Sequence, residues 1–287
     1  MKPSAFVYHA PRTVEEAVAT LASVASQDGR VIAGGQSLVP AMALRLAQPA
    51  HLVDINGIAD LGRLEVRDGT LRIGACVRHA AFDRPVVDGP LGRLLSRIAR
   101  HVAHYPIRTR GTFCGSIANA DPASEWCLVA ATLGATMIAH SARGVRTVAE
   151  PGYFKGIMTT ALRPDELLTE VRLQLPAADT HWGFNEFNRR AGDFAIAMAL
   201  ATYRIEGGVI VEPRVGVGAV ESQPQRIREA EAVLQGQPPD AQTFAYAAAR
   251  ASEAVQPIEE QPEAAAYKRD VVRAVVRRAL EAAEKQA

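Results

Sequence analysis

The stretch Ala33-Gly34-Gly35-Gln36-Ser37-Leu38 lies between a short apolar segment, residues 31–33, and a segment with helical spacing, residues 38–46. Upstream, residues 13–26 place apolar side chains at helical intervals behind Thr13, a typical N-cap with Glu16 three residues on. Downstream, residues 51–55 are predicted to form another strand, which ends at Asn56-Gly57, a turn signal. The pattern predicts a β-α-β unit over residues 1–57 with a glycine loop at the end of a buried strand.

Consecutive glycines let a backbone approach a ligand closely and adopt positive φ. At the start of a helix, the free N–H groups suit a phosphate or a pyrophosphate, and Ser37 adds a hydroxyl donor. The loop is neither a Walker motif nor G-x-G-x-x-G. Gly-Gly pairs also make plain turns, so both interpretations stay open for this loop alone.

A second loop, residues 110–120, contains Gly111, Gly115, Thr112, Cys114 and Ser116. A helix is expected to follow from Asp121 to Leu133, with Pro122 at its first position and Gly134 at its exit. Taken alone, this loop is equally compatible with a tight turn. Two such loops, about 75 residues apart, favour one long anionic ligand such as a dinucleotide.

The remaining pattern predicts a second unit over residues 58–175 and a third over residues 176–287, with a boundary at Pro176 to Thr180. The second unit contains a hairpin around Asp68-Gly69, a helix over Leu91–Val102 and a strand over Leu167–Leu175. The third contains two strands, residues 195–205 and 209–219, which are joined by Gly207-Gly208. Two or three helices follow, around residues 227–234, 241–255 and 263–283.

Composition excludes several classes of protein. The net charge of +1, from 32 basic and 31 acidic residues, excludes a strongly basic nucleic-acid binder. Three cysteines without a CxxC pair argue against a disulfide framework, a zinc site or an iron–sulfur cluster in this chain. His101 and His104 share a helical face but lack a third metal ligand, and no catalytic triad or carboxylate pair stands out. We therefore expect neither a catalytic residue nor a metal site.

The longest apolar run, residues 195–203, is too short to span a bilayer. The N-terminus lacks the apolar core of a signal peptide. The sequence therefore predicts a cytoplasmic protein without a membrane span.

Four segments together resemble a known family. They are Ala33–Leu38 followed by Pro40, Arg45, Pro49 and Val53-Asp54-Ile55; Gly111-Thr112-x-x-Gly115-Ser116-Ile117-Ala118-Asn119-Ala120-Asp121-Pro122-Ala123-x-Glu125; Arg189-Arg190-x-Gly192-Asp193-Phe194-Ala195; and Tyr267-Lys268-Arg269. These segments are similar to the FAD-binding medium subunits of the xanthine dehydrogenase, or molybdenum hydroxylase, family, which includes carbon monoxide dehydrogenase and quinoline oxidoreductase. One departure is Cys114, which stands where the family usually has a glycine.

The resemblance implies an α+β protein: a two-subdomain FAD-binding fold of the vanillyl-alcohol-oxidase type, then a small α+β C-terminal domain with a short antiparallel sheet and a helix bundle. It implies noncovalent FAD, bound through the following residues: Ala33, Gly34, Gly35, Gln36, Ser37, Leu38, Thr112, Gly115, Ser116, Asp121, Glu125, Leu168 (or its neighbour Leu167), Asn185 and Phe194. Asn185 and Phe194 are expected near the flavin ring.

The family also implies partners. A small subunit with two [2Fe-2S] clusters would deliver electrons to the FAD, and a large subunit would hydroxylate substrate at a molybdenum cofactor. The assembly expected is a dimer of heterotrimers, and the FAD would pass electrons to an external acceptor. Two other functions remain open from the residues: a stand-alone FAD oxidoreductase with its own substrate pocket, and a flavin-free interaction protein that kept the fold.

Overall fold

The computed structural model of the chain describes residues 2–259 and 261–285. The outer limits of the first and third predicted units, Met1 and Ala287, lie outside the described residues. Within the described part of the chain, no helix combines the length and the apolar composition that crossing a membrane requires. No group of three histidine, cysteine, aspartate or glutamate side chains in those residues is arranged to hold a metal ion.

The N-terminal part is a small parallel sheet, which confirms the predicted β-α-β pattern. Its elements are β1 (Val7–His9), α1 (Val14–Val24), β2 (Gly29–Ile32), α2 (Leu38–Ala43) and β3 (His51–Asp54). Strand β3 lies between β1 and β2 and is parallel to both. The Thr13 hydroxyl accepts a hydrogen bond of 3.1 Å from the Glu16 N–H, so it caps α1 as predicted.

The middle part is a five-stranded antiparallel sheet in the order β4-β5-β10-β6-β7. Its strands are β4 (Leu64–Arg67), β5 (Thr70–Gly74), β6 (Thr136–Ser141), β7 (Gly144–Ala149) and β10 (Leu167–Gln174). Two further short strands pair with each other, β8 (Phe154–Gly156) and β9 (Thr159–Thr160). The predicted hairpin is confirmed, because Asp68 and Gly69 both have positive φ between β4 and β5.

Four helices accompany this sheet: α3 (Pro90–Ala99), α4 (Tyr105–Arg108), α5 (Phe113–Asn119) and α6 (Glu125–Leu133). The last of these, α6, is buried around its whole circumference, since seven consecutive residues, Trp126 to Thr132, are buried. A helix buried on all sides is apolar on all its faces. The Trp126 ring packs against Phe82 and Phe113, with centroids 5.3 and 4.8 Å away. Helix α6 therefore passes through the core, directly behind the second glycine loop.

The C-terminal part is an antiparallel sheet covered by helices. It comprises β11 (His181–Phe187), β12 (Ala197–Glu206), β13 (Val209–Gly218), β14 (Gln225–Arg226), α7 (Arg228–Leu234), α8 (Ala241–Ala254) and α9 (Pro262–Glu284). The predicted turn at Gly207-Gly208 joins β12 to β13, and both glycines have positive φ.

This sheet is buried on both faces. Along β12, Ala199 and Ala201 contribute to a core shared with the C-terminal helices, whereas Met198 and Leu200 contribute to the core of the N-terminal and middle parts of the chain. Side chains of a strand alternate between its two faces, so a strand buried on both is apolar throughout. This explains the apolar run at residues 195–203 and joins the C-terminal sheet firmly to the rest.

Several predicted boundaries were wrong. Residues 110–120 are not only a loop, since α5 occupies Phe113–Asn119. The helix expected from Asp121 begins at Glu125 instead, because the Asp121 carboxylate accepts from the Ala123 N–H at 2.9 Å and holds a turn there. Helix α2 ends at Ala43 rather than Leu46, and Arg45 beyond it has a φ of 62°.

Candidate functional site

The first glycine loop follows β2 and leads into α2, as the sequence predicts. Gly35 has a φ of 72°, and the Gln36 side-chain amide donates to the Gly34 carbonyl at 2.9 Å. Within the described residues, the backbone N–H groups of residues 34–37 find no acceptor. Backbone donors without an internal partner need water or a ligand. The loop therefore offers a row of free donors to an anion.

The two glycine loops touch each other. A Cβ placed on Gly34 would meet the Gly111 Cα at 2.6 Å and would clash with the Arg110 carbonyl oxygen. No side chain fits in that space, so glycine is required at position 34 for the close approach of the two backbones. Two turns that are distant in sequence thus form one continuous surface of backbone groups.

A chain of polar contacts fixes the spacing of the loops. The Asn56 side-chain amide donates to the Ala33 carbonyl at 2.7 Å, and the Arg78 guanidinium donates to the Asn56 side-chain oxygen at 2.6 Å. The same guanidinium donates to the Arg110 carbonyl in the second loop. Neither Asn56 nor Arg78 was among the predicted site residues. Asn56-Gly57 gave only a turn signal, and nothing in the sequence distinguished Arg78.

A helix cap stabilises the second loop. The Thr112 hydroxyl accepts from the Gly115 N–H at 2.9 Å, while Ser116 lies in the first turn of α5 and is partly exposed. Thr112 therefore stabilises the loop itself, in addition to any contact that it makes with a ligand. Gly115 and Ser116 lie on the partly open side of the same turn.

Cys114 has a structural explanation. It lies inside α5 with ordinary helical geometry, and its thiol donates to the Ile73 carbonyl at 3.3 Å in the core. Since the side chain points inward and needs no positive φ, cysteine can replace glycine here without moving the loop. Burial raises the pKa of the Cys114 thiol well above its usual range, so it supplies no reactive thiolate.

A neutral histidine supports the second loop from behind. The backbone N–H of His79 donates to the Gly111 carbonyl at 3.0 Å, and the Trp126 indole N–H donates to the His79 ring at Nδ1, at 2.9 Å. Because an indole N–H only donates, His79 Nδ1 must be unprotonated. Burial, with the charges of Arg108 and Arg78, lowers the pKa of His79 to about 4, so the ring is neutral near pH 7.

Two of the predicted site residues lie around the start of α6 and on β10. Glu125 is the first residue of α6, and burial followed by the charge of Glu186 raises the pKa of its carboxyl group to about 8. Leu168 and its neighbour Leu167 are both buried on β10. Their side chains belong to the apolar core beneath the loops.

The two residues expected near the ring lie apart from each other. Asn185 shares a face of β11 with Gly183, where a Cβ would meet the Ala283 N of α9 at 2.7 Å, so Asn185 faces the C-terminal helices. Phe194 lies in the loop after β11 and is 73% exposed. In that loop Gly192, with a φ of 86°, packs against His104, since a Cβ there would lie 2.8 Å from the ring Nε2.

The opposite face of β11 carries Glu186, which was not among the predicted site residues. Phe184 and Glu186 share this face, and Phe184 belongs to the core of the N-terminal and middle parts of the chain. Glu186 therefore points toward that core, and Asn185 points away from it. Because side chains alternate along a strand, Glu186 could have been predicted on this face in place of Asn185 if the orientation of β11 had been known.

Comparisons with known proteins agree with this arrangement. Residues 4–177 match the model of the FAD binding domain in molybdopterin dehydrogenase, and residues 182–283 match the CO dehydrogenase flavoprotein C-terminal domain. The chain is 34% identical to the nicotine 6-hydroxylase medium subunit of Paenarthrobacter nicotinovorans, over 98% of both chains.

Two solved structures are similar over almost the whole chain. Quinoline 2-oxidoreductase from Pseudomonas putida 86 matches with a TM-score of 0.92 and 36% identity, over 100% of this chain and 99% of that one. Carbon monoxide dehydrogenase from Hydrogenophaga pseudoflava, in a form lacking the Mo-pyranopterin moiety, matches with a TM-score of 0.94 and 35% identity over 100% of both chains.

Proposed function

We propose that this chain, which belongs to the FAD-binding medium subunits of the molybdenum hydroxylase family, binds FAD noncovalently and transfers electrons within a larger oxidoreductase. The electrons come from the iron–sulfur clusters of a small partner subunit and leave to an external acceptor. Substrate is oxidised at a molybdenum cofactor in a large partner subunit. The complex is a dimer of heterotrimers.

The contact between the two glycine loops at Gly34 supports this proposal most directly. A diphosphate needs several donors in a small space, and unpaired backbone N–H groups provide them without a lysine. The first loop has such groups at residues 34–37. The FAD diphosphate therefore fits where the loops meet.

The binding residues that we propose are those of both loops and the elements beside them: Ala33, Gly34, Gly35, Gln36, Ser37, Leu38, Thr112, Gly115, Ser116, Asp121, Glu125, Leu168 and Phe194. Asp121 acts by holding the turn before α6. Asn185, which faces α9, acts through the packing of β11 rather than by direct contact. The loops come from proposed units 1–57 and 58–175, and unit 176–287 closes the site with β11 and Phe194.

FAD, when bound, supplies the one- and two-electron chemistry. The chain itself binds and orients it. The backbone groups of the loops hold the diphosphate, Asn56 and Arg78 keep the two loops at a fixed spacing, and His79 and Trp126 support the second loop from the core. The exposed Phe194 provides an apolar surface for one face of the ring.

The match of residues 182–283 to a CO dehydrogenase flavoprotein domain supports a subunit over a stand-alone enzyme. Several relatives are named as subunits or medium chains of dehydrogenases, which supports partner chains for this protein as well. Among the described residues, no group of three histidine, cysteine, aspartate or glutamate side chains is arranged to hold a metal ion.

The test is to produce the chain with and without its iron–sulfur and molybdenum partners. We expect one FAD per chain, released entirely when the protein is denatured, and reduction of the FAD by substrate only when all three subunits are present. Flavin that stays attached to the denatured chain would contradict noncovalent binding. Reduction of the isolated chain by an organic substrate would favour the stand-alone enzyme instead.

A further inference from the structure

Lys268 is a largely buried cation of the C-terminal helix that the proposed site does not use. It lies in the Tyr267-Lys268-Arg269 segment of α9, and only 17% of its side chain is exposed. Its ammonium group forms an ion pair with Glu259 Oε1 at 3.1 Å and donates to the Ala219 carbonyl at 2.9 Å. A long charged side chain loses hydration and rotamer freedom when it is fixed in this way. In return, Lys268 holds the backbone that it contacts, which is the loop after β13.

Ala219 joins α9 to the turn between α5 and α6. Its carbonyl accepts from Lys268, and its own N–H donates to the Pro122 carbonyl at 2.8 Å. Pro122 lies in the turn that the Asp121 carboxylate holds after the end of α5. Two hydrogen bonds thus connect the C-terminal helix with the far end of α5, whose first turn carries Ser116 of the second glycine loop.

The backbone of Ala219 has a conformation that alanine rarely adopts. Its φ is 68°, in the left-handed region, where the Cβ crowds the neighbouring backbone. Such a conformation persists where the surroundings fix it from several sides. Here both backbone polar groups of Ala219 are bonded, and the carbonyl of the next residue, Val220, accepts from the Ile258 N–H at 3.2 Å. These contacts set the position from which the Ala219 N–H reaches Pro122.

We propose that Lys268 is a positioning residue for the FAD site, which acts through Ala219 to hold the turn at Pro122 and, with it, the second glycine loop. The inference rests on the proposed FAD site and adds a residue of the C-terminal helix to it. Binding FAD across both loops requires α5 to keep its place, and a turn that is already fixed leaves less freedom to lose on binding. Lys268 therefore increases the FAD affinity through this chain of contacts and does not touch the flavin.

The test compares the FAD dissociation constants of full-length variants by flavin fluorescence, with urea unfolding as the measure of stability. Lys268→Met removes the donor to Ala219, and FAD binding should weaken about three- to tenfold, the range that one hydrogen bond contributes. Glu259→Gln removes the ion pair but leaves Lys268 able to donate to Ala219, so FAD binding should weaken less than threefold. The matched control is Lys285→Met, at an exposed position at the end of the same helix, which should change neither the affinity nor the stability.

Hydrogen exchange of the wild-type chain gives a readout that needs no variant. FAD binding should slow the exchange of the Ala219 N–H, because a fixed second loop keeps its bond to Pro122 closed. Unchanged exchange of this N–H would overturn the proposal, whether or not Lys268→Met folds.

Two results with the variants would also overturn it. One is a folded Lys268→Met chain that binds FAD less than threefold more weakly than the wild-type chain. The other is an equal loss of affinity in Lys268→Met and Glu259→Gln, which would assign the effect to the ion pair and not to the contact with Ala219. A wild-type chain that binds no FAD would overturn the proposed function itself, which is a different result from FAD binding that does not depend on Lys268.

Discussion

Replacing Gly34 with alanine is expected to separate the two loops and weaken FAD binding. The added Cβ would lie 2.6 Å from the Gly111 Cα, whereas carbon atoms in contact stay roughly 3.5–4.0 Å apart. The loops must therefore part by about 1 Å. Gly34 is not in the left-handed region, so the effect comes from the close approach and not from backbone strain.

The size of the effect follows from the usual cost of overpacking, about 1–3 kcal/mol. In the free protein the loops can part and avoid most of this cost, but binding FAD across both loops restores the close spacing. The cost then appears as lost affinity, roughly 5- to 150-fold in the dissociation constant. The measurement is the FAD dissociation constant by flavin fluorescence, with urea unfolding as the measure of stability.

The matched control is Gly62→Ala, because a Cβ at Gly62 would meet nothing within 4 Å. It should leave the FAD affinity unchanged. If Gly34→Ala folds normally and binds FAD within twofold of the wild-type chain, the loops do not close on one ligand, and the proposed site is wrong.

Three further outcomes test other parts of the site. Arg78→Ala removes the donors to Asn56 and to the Arg110 carbonyl, so we expect weaker FAD binding and a loss of about 0.5–1.5 kcal/mol per hydrogen bond in the free energy of unfolding. The matched variant Arg63→Ala changes an exposed arginine that pairs with Asp60, and it should bind FAD normally. Cys114→Gly should keep FAD binding, since the thiol points into the core. It should lower the free energy of unfolding by about 1 kcal/mol or more, because helix propensity and packing are lost. Loss of flavin reduction in this variant would instead indicate a redox thiol. His79 must be neutral in the folded chain, with a pKa of about 4 against an ordinary 6.5, so its contribution to stability is complete above pH 6.5 and is lost as the pH falls toward 4; urea unfolding at pH 7 and pH 5 should show this loss in the wild-type chain and a smaller one in His79→Gln.

Much of the fold could be predicted from local patterns. The Thr13 cap, the Asp68-Gly69 turn and the Gly207-Gly208 turn each depend on residues close in sequence, and all three are present in the structure. The start of α6 could not be placed from Pro122. An aspartate before a proline is also typical of a turn, and here the Asp121 carboxylate makes that turn.

The loops of the candidate site could be predicted from the sequence, whereas the residues that support the loops could not. Glycine pairs before helices are visible in one sequence, so both loops were found. Arg78 and Asn56 act only because folding brings three distant segments together, and no spacing in the sequence records that. Asn185 faces α9, and Glu186 is on the opposite face of β11. Which of the two residues faces α9 depends on how β11 packs in the sheet, and the sequence alone does not record this.

The C-terminal sheet gives a physical reason for the two domain matches to occur in one chain. Strand β11 uses Gly183 to admit the backbone of α9 on one face and presents Phe184 and Glu186 to the N-terminal and middle parts of the chain on the other. Because the sheet is buried on both sides, the C-terminal unit cannot leave without exposing two apolar surfaces. A site that combines the two glycine loops with β11 is therefore assembled only when the C-terminal sheet is docked on the rest of the chain.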